Sequence, residues 1–192
     1  SAPVVRVPLN DFALVSRALD IGAEAIIAPM INSPADALRF ASAAKYPPLG
    51  ERSWGPLRAM ALQSPRTAPV DYMREANDGT LAFAMVETAT ALACVDTIAS
   101  TPGIDGLFVG PYDLATALSG GSAQDVQAAQ VEQAIDTIRA AAKKADKIPG
   151  IYCRDAESAV AMAKRGYRFV IAGNDQTTLR SATVAQLKAL KS

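Results

Sequence analysis

Histidine is absent from all 192 residues. That removes the side chain most often used as a general base near neutral pH, and the commonest nitrogen ligand of transition metals. Cysteine occurs only twice, as Cys94 and Cys153, far apart and with no metal-ligand spacing. A thiolate metal centre is therefore excluded, nothing calls for a disulfide, and free thiols of a cytoplasmic protein are expected. Net charge is lacking as well: 19 Lys and Arg balance 19 Asp and Glu. No overall field draws the chain to nucleic acid or to an anionic membrane. No apolar run approaches the roughly 20 residues that span a bilayer. The opening SAPVVRVP has neither the basic segment nor the apolar stretch of a secretion signal. It also lacks an initiator Met and runs almost at once into an apolar strand, which reads as a truncated start.

Half of the residues are hydrophobic and 20% are charged, the composition of one folded domain spanning residues 1–192. Short apolar runs at 4–8, 25–30, 81–87, 106–110, 149–152 and 169–172 alternate with amphipathic segments. Most of these runs are apolar on both faces, as strands of a buried parallel sheet are. The intervening segments at 12–21, 34–44, 88–99, 124–144, 155–164 and 176–190 predict helices. Ser33 and Pro34 open one of them, and Gly22 and Gly166 close two. A β-α rhythm gives a parallel sheet with right-handed crossovers, either open or closed into a barrel. No Gly-x-Gly-x-x-Gly follows the first strand, which disfavours a dinucleotide-binding sheet. Six strand-helix units are two short of eight, so the expected fold is a (β/α)8 TIM barrel lacking its first two βα units. Residues 46–69, rich in Pro and Gly and carrying Glu51, Arg52, Trp54 and Arg58, predict a long functional loop.

Parallel α/β folds place their sites at the carboxyl ends of strands. The polar residues expected there are Arg6, Glu87, Asp113, Asn174 and Asp175. Glu87 and Asp113 follow consecutive strands, so their carboxylates are expected to be neighbours and to suit Mg²⁺ or Mn²⁺ completed by other oxygens. The competing reading is that each caps the following helix. Arg6 lies in an otherwise apolar strand, where a buried guanidinium needs an anion, from the protein or from a substrate.

Five stretches then carry a family resemblance in order along the chain: VVRVPLNDFALVSRALDIGAEAIIAPMI, YPPLGERSWGP, MVETATAL, GIDGLFVGPYDLA and FVIAGNDQTTL. The sequence resembles the HpcH/HpaI aldolases, metal-dependent pyruvate aldolases with citrate lyase β-like relatives. The resemblance implies that Glu87 and Asp113 are the metal ligands and that Arg6 stabilises the enolate. It implies that Asp20 holds a catalytic histidine in its basic form and that the Tyr112 backbone contacts the bound oxo acid. Gly50, Arg52 and Gly55 would belong to a glycine-rich loop over the active site. Three departures stand out. Met85 replaces a glutamine two residues before the metal glutamate, Tyr112 replaces a small residue, and the family histidine lies upstream of the arginine strand.

The expected activity is that of a divalent-metal-dependent lyase, cleaving or forming C–C bonds of 4-hydroxy-2-oxo acids through a pyruvate-type enolate, with an aldehyde as the other partner. The alternative is a non-catalytic 2-oxo-acid-binding barrel fragment without the base. A Schiff-base aldolase needs a desolvated lysine inside the barrel, and every lysine here falls on a predicted helix or loop. The resemblance further implies a homo-oligomer, trimeric or hexameric, that exchanges its C-terminal helix.

Overall fold

The computed structural model describes residues 2–63 and 68–190. Its strands are β1 (Val4–Arg6), β2 (Ala25–Ala28), β3 (Leu81–Val86), β4 (Gly106–Val109), β5 (Ile148–Cys153) and β6 (Phe169–Ala172). They form one sheet in chain order, with every neighbouring pair parallel. Each lies within two residues of the apolar run that predicted it.

Ten helices connect or follow the strands among the described residues: α1 (Phe12–Asp20), α2 (Pro34–Ala44), α3 (Leu57–Gln63), α4 (Pro69–Gly79), α5 (Ala89–Ala93), α6 (Val95–Ala99), α7 (Pro111–Leu118), α8 (Ala129–Lys144), α9 (Ala156–Lys164) and α10 (Asp175–Ala189). Local chemistry explains their starts. The side chains of Asp11 and Ser33 accept the N–H groups of Leu14 and Asp36, and Asp155 forms a reciprocal capping box with Ser158. Gly22 and Gly166 end α1 and α9 with φ of 112° and 101°, a region open to glycine.

Two expectations need correction. The helix predicted over 88–99 is broken at Cys94, whose φ of −120° separates α5 from α6. The loop predicted over 46–69 contains α3, because LRAMALQ is a run of good helix formers between Pro-rich flanks. Residues 64–67 of that loop lie outside the described residues.

The sheet is curled. Phe83 on β3 and Phe169 on β6 stand three strand spacings apart, roughly 14 Å in a flat sheet, yet their ring centroids are 4.8 Å apart. These rings, with Ile27, Met85 and Phe108, fill the concave face. The larger core lies on the convex face, where side chains such as Ile26, Val86, Leu107 and Ile151 meet Phe40, Ile98, Ile135 and Ile138 of the helices. Burial falls away at the edges: β1 and β6 are partly exposed, and α9 and α10 bury no side chain. The architecture is an α/β half-barrel. No described helix is long and apolar enough to cross a membrane.

Candidate active site

Helices of a parallel α/β sheet run back against the strands, so the sheet has two chemically separate ends. The carboxyl end gathers Arg6, Glu87, Tyr112 and Asp113. Side-chain alternation brings the first two onto one face. Arg6 pairs in register with Ile27, and Glu87 continues the series Phe83, Met85; Ile27, Phe83 and Met85 all belong to the concave cluster. Asp113 does not end β4; it lies in the first turn of α7.

Glu87 is 1% exposed. Its Oε1 accepts the Met30 N–H at 2.7 Å, while its buried Oε2 has no hydrogen-bond partner. Burial pushes the Glu87 carboxyl above the usual carboxylate range. The Met30 N–H and the charge of Arg6 oppose that rise; the neighbouring charge of Asp113 reinforces it. Two acceptors cannot satisfy each other unless they share a proton or a cation. Neither acid is the N-cap of the following helix, though Asp113 stands in the first turn of α7, where a negative charge suits the helix dipole. Thr88 caps α5 by accepting the Ala91 N–H, and Gly110 stands at the cap of α7. Asn174 is the strand-end residue that does cap: it accepts the Thr177 N–H at the start of α10, and Asp175 is that helix's first residue.

A buried carboxylate with an orphaned oxygen, beside a second carboxylate, fits a hard cation that takes its other ligands from water or substrate. Among the described residues no group of three or more His, Cys, Asp or Glu side chains could hold a metal. The protein's share would therefore be these two acids. Arg6 departs from expectation in one respect. It is exposed, because β1 is an edge strand with β2 as its one described neighbour. It has no ion-pair partner within 4 Å among the described residues.

The amino end holds the remaining predicted residues. Asp20 ends α1, and the chain turns through Gly22 directly into β2. Its Oδ1 accepts from Arg52 Nη2 at 2.7 Å. Arg52 is 3% exposed and lies over the Tyr46 ring, 4.5 Å from its centroid. Gly50 packs against carbonyls at the end of α2, and a Cβ on Gly55 would stand 2.5 Å from Asp20 Oδ2. The loop bearing Gly50, Arg52 and Gly55 thus leaves α2 at the amino end, about 20 Å from Glu87 by the rise of the six-residue β3. Asp20 and this loop lie at the opposite end of the sheet from Glu87 of their own chain. The reason is topological: whatever follows a helix emerges where the strands begin.

Lys45 is the buried lysine among the described residues, and it also belongs to this end. Its Nζ donates to the carbonyls of Asn77 and Thr80, each at 2.6 Å, and pairs with Asp105 at 2.7 Å. Three acceptors hold the ammonium at the opposite end of the sheet from Glu87, a structural placement rather than one for a Schiff base.

Sequence reasoning missed Met30, Gly110 and Tyr152. Met30 has φ of 55°, which no residue-type signal announces for methionine. Tyr152 shares the concave cluster, places its ring 6.2 Å from that of Tyr112, and accepts from Asn174 Nδ2 at 3.4 Å. Strand alternation could have found Tyr152.

A curled parallel sheet with two acids and an arginine at its carboxyl end defines a β/α-barrel-type protein. The sequence profile of the HpcH/HpaI aldolase/citrate lyase family matches residues 1–182, and the chain belongs to that family. It is 39% identical over 191 residues to the hydroxypyruvate/pyruvate aldolase of Rhizorhabdus wittichii, covering 98% of this chain and 74% of that protein. It is 37% identical over 182 residues to the 4-hydroxy-2-oxo-heptane-1,7-dioate aldolase of Klebsiella pneumoniae, covering 93% of this chain and 66% of that one. The crystal structure of a family protein from Burkholderia cenocepacia superposes with a TM-score of 0.86 at 37% identity, over 100% of this chain and 74% of that one.

Proposed function

We propose that this chain carries the cation site and enolate clamp of a divalent-metal-dependent pyruvate-type aldolase. The observation that carries the proposal is the buried, unpartnered Oε2 of Glu87 beside the Asp113 carboxylate. Glu87 and Asp113 would hold Mg²⁺ or Mn²⁺. Such a cation supplies positive charge next to the carboxylate and keto oxygens of a bound 2-oxo acid, worth several kcal/mol as an enolate develops.

The chain's own residues have separate tasks. Arg6, on the same face, offers a guanidinium with no ion-pair partner within 4 Å among the described residues, and so available to the substrate's negative charge. The Tyr112 backbone would contact the oxo acid, and its ring, with that of Tyr152, narrows the mouth of the site. Met85 presents no hydrogen-bond donor where relatives of the resembled family have glutamine. The proton is assigned to a base outside these groups, since the 192 residues contain no histidine.

The names of the relatives support a 4-hydroxy-2-oxo acid as substrate and an aldehyde as the second product. The same reading extends to a closed eight-stranded barrel, because the edges of β1 and β6 stand unpaired among the described strands. It extends to a homo-oligomer, supported by the exposed Leu179, Val184, Leu187 and Leu190 of the C-terminal segment, and to the cytoplasm, which suits two free thiols.

The test is pyruvate-dependent aldol cleavage with Mn²⁺ or Mg²⁺, before and after chelation, in wild type and Glu87→Ala. Activity that needs the cation and disappears in the variant is expected. Activity that survives chelation, or borohydride trapping of a pyruvate adduct, overturns the proposal. Binding of Mn²⁺ and pyruvate without turnover favours the second reading, a 2-oxo-acid-binding barrel without its base, which the missing histidine supports.

A further inference from the structure

We infer that Met30 and Gly110 are positioning residues that fix the Glu87 carboxylate and thereby set the affinity of the site for a divalent cation. This rests on the metal reading above and extends it to two positions that supply no ligand atom.

Glu87 is anchored through one oxygen, by the Met30 N–H at 2.7 Å. That N–H is aimed by a left-handed backbone, φ 55°, which non-glycine residues enter at a cost. One residue later the chain is back against its neighbour, with the Ile31 N–H on the Met85 carbonyl at 3.3 Å. The strained turn is therefore local and pinned on its far side.

The other oxygen faces Gly110. A Cβ there would stand 2.5 Å from Glu87 Oε2 and 3.0 Å from Met85 Cε. Gly110 has φ −97° and ψ 88°, so its backbone does not call for glycine; the carboxylate does. With Oε1 tethered and the side chain 1% exposed, an added methyl cannot be avoided by a free rotation into solvent. The carboxylate must swing as a unit, and its placement against Asp113 changes with it. The two backbone devices act as a cradle: Met30 satisfies one oxygen, and Gly110 leaves room for the other without offering it a donor.

The experiment is a Mn²⁺ titration of the full chain, read by the EPR signal of the free ion, with thermal melts alongside. Gly110→Ala is expected to weaken Mn²⁺ binding 10- to 100-fold, the range for outer-shell partners of a metal site, with its melting temperature within a few degrees of wild type. Glu87→Asp weakens it as well, because the shorter acid cannot keep Met30 and reach as far. The double variant should lose less than the product of the two single losses, since the shorter acid withdraws from the new methyl. Met30→Val, which disfavours the left-handed region, should bind more weakly than Met30→Asn, which tolerates it.

Wild-type affinity in Gly110→Ala, or strictly multiplicative losses in the cycle, overturns the inference and leaves the metal reading standing if Glu87→Gln still abolishes binding. A wild-type chain that binds no Mn²⁺ brings down both. Should Gly110→Ala not fold, equal affinity of Met30→Val and Met30→Asn overturns it alone.

Discussion

At the amino end of the sheet Lys45 and Arg52 are buried, and each faces a carboxylate, Asp105 or Asp20. At the carboxyl end Glu87 is equally buried and faces another carboxylate. Both ends hold charge away from water, which costs several kcal/mol per ion unless it is compensated. One end compensates within the chain and the other does not. Lys45 ties the end of α2 to the starts of β3 and β4, and Arg52 ties the loop to α1. Among the described residues Glu87 makes one hydrogen bond, to Met30. Opposite charges in contact describe a scaffold, and like charges in contact support the cation site proposed above.

The sharpest way to break this comparison is to remove charge at each end in turn. Glu87→Gln should reduce metal-dependent turnover by about three orders of magnitude, the equivalent of several kcal/mol. It should leave the melting temperature unchanged or raised, because a buried charge without a cation is a burden on the fold. Lys45→Met or Arg52→Met should do the reverse. Each strands a largely buried carboxylate and should cost about 3 kcal/mol of stability, the lower end for a broken buried pair because Asp105 and Asp20 retain some solvent. Mn²⁺ affinity of the folded protein should not move. A stability loss in Glu87→Gln as large as in Lys45→Met would erase the distinction.

Two smaller effects sharpen it. Burial raises the Tyr46 phenol to about 12, with the nearby Arg52 charge holding it down. A folded pKa above the unfolded value of 10 means the contribution is complete below pH 10 and is lost as pH rises through about 12. Absorbance at 295 nm should show the Tyr46 phenol ionising only as pH rises toward about 12, and a Tyr46 that titrates near 10 would show the amino-end cluster to be open to water. Smallest of all, Ser33→Ala should cost about 1 kcal/mol by uncapping α2, seen in denaturant unfolding with metal binding unchanged. That substitution separates helix capping at the carboxyl end from the acids that share the same rim.

The strands were legible because their burial on both faces writes itself as unbroken apolar runs, and four residues of β2 are indeed all buried. Glu87 stood out for a different reason: a carboxylate that ends an apolar strand has few structural uses, whereas Asp113 lies a turn into α7. Arg6 misled because its strand reads as central, whereas burial depends on a second neighbour that the described sheet does not provide. The loop of Gly50, Arg52 and Gly55 announces constraint through its composition, which says nothing of which end of the sheet is constrained. Its cause is close packing: a side chain at Gly55 would collide with Asp20, and one at Gly50 with the carbonyls of α2. Met30 was illegible because its role is played by a backbone N–H. Gly110 was visible as a glycine, but its neighbour across the sheet was not.

The most direct test is one Mn²⁺ titration on three proteins, the wild type, Glu87→Gln and Lys45→Met, each checked for folding at the same temperature. The account predicts saturable binding in wild type and in folded Lys45→Met, and none in Glu87→Gln. Binding that persists in Glu87→Gln, or that disappears with Lys45, would contradict the division of the sheet into a paired scaffold and an unpaired site.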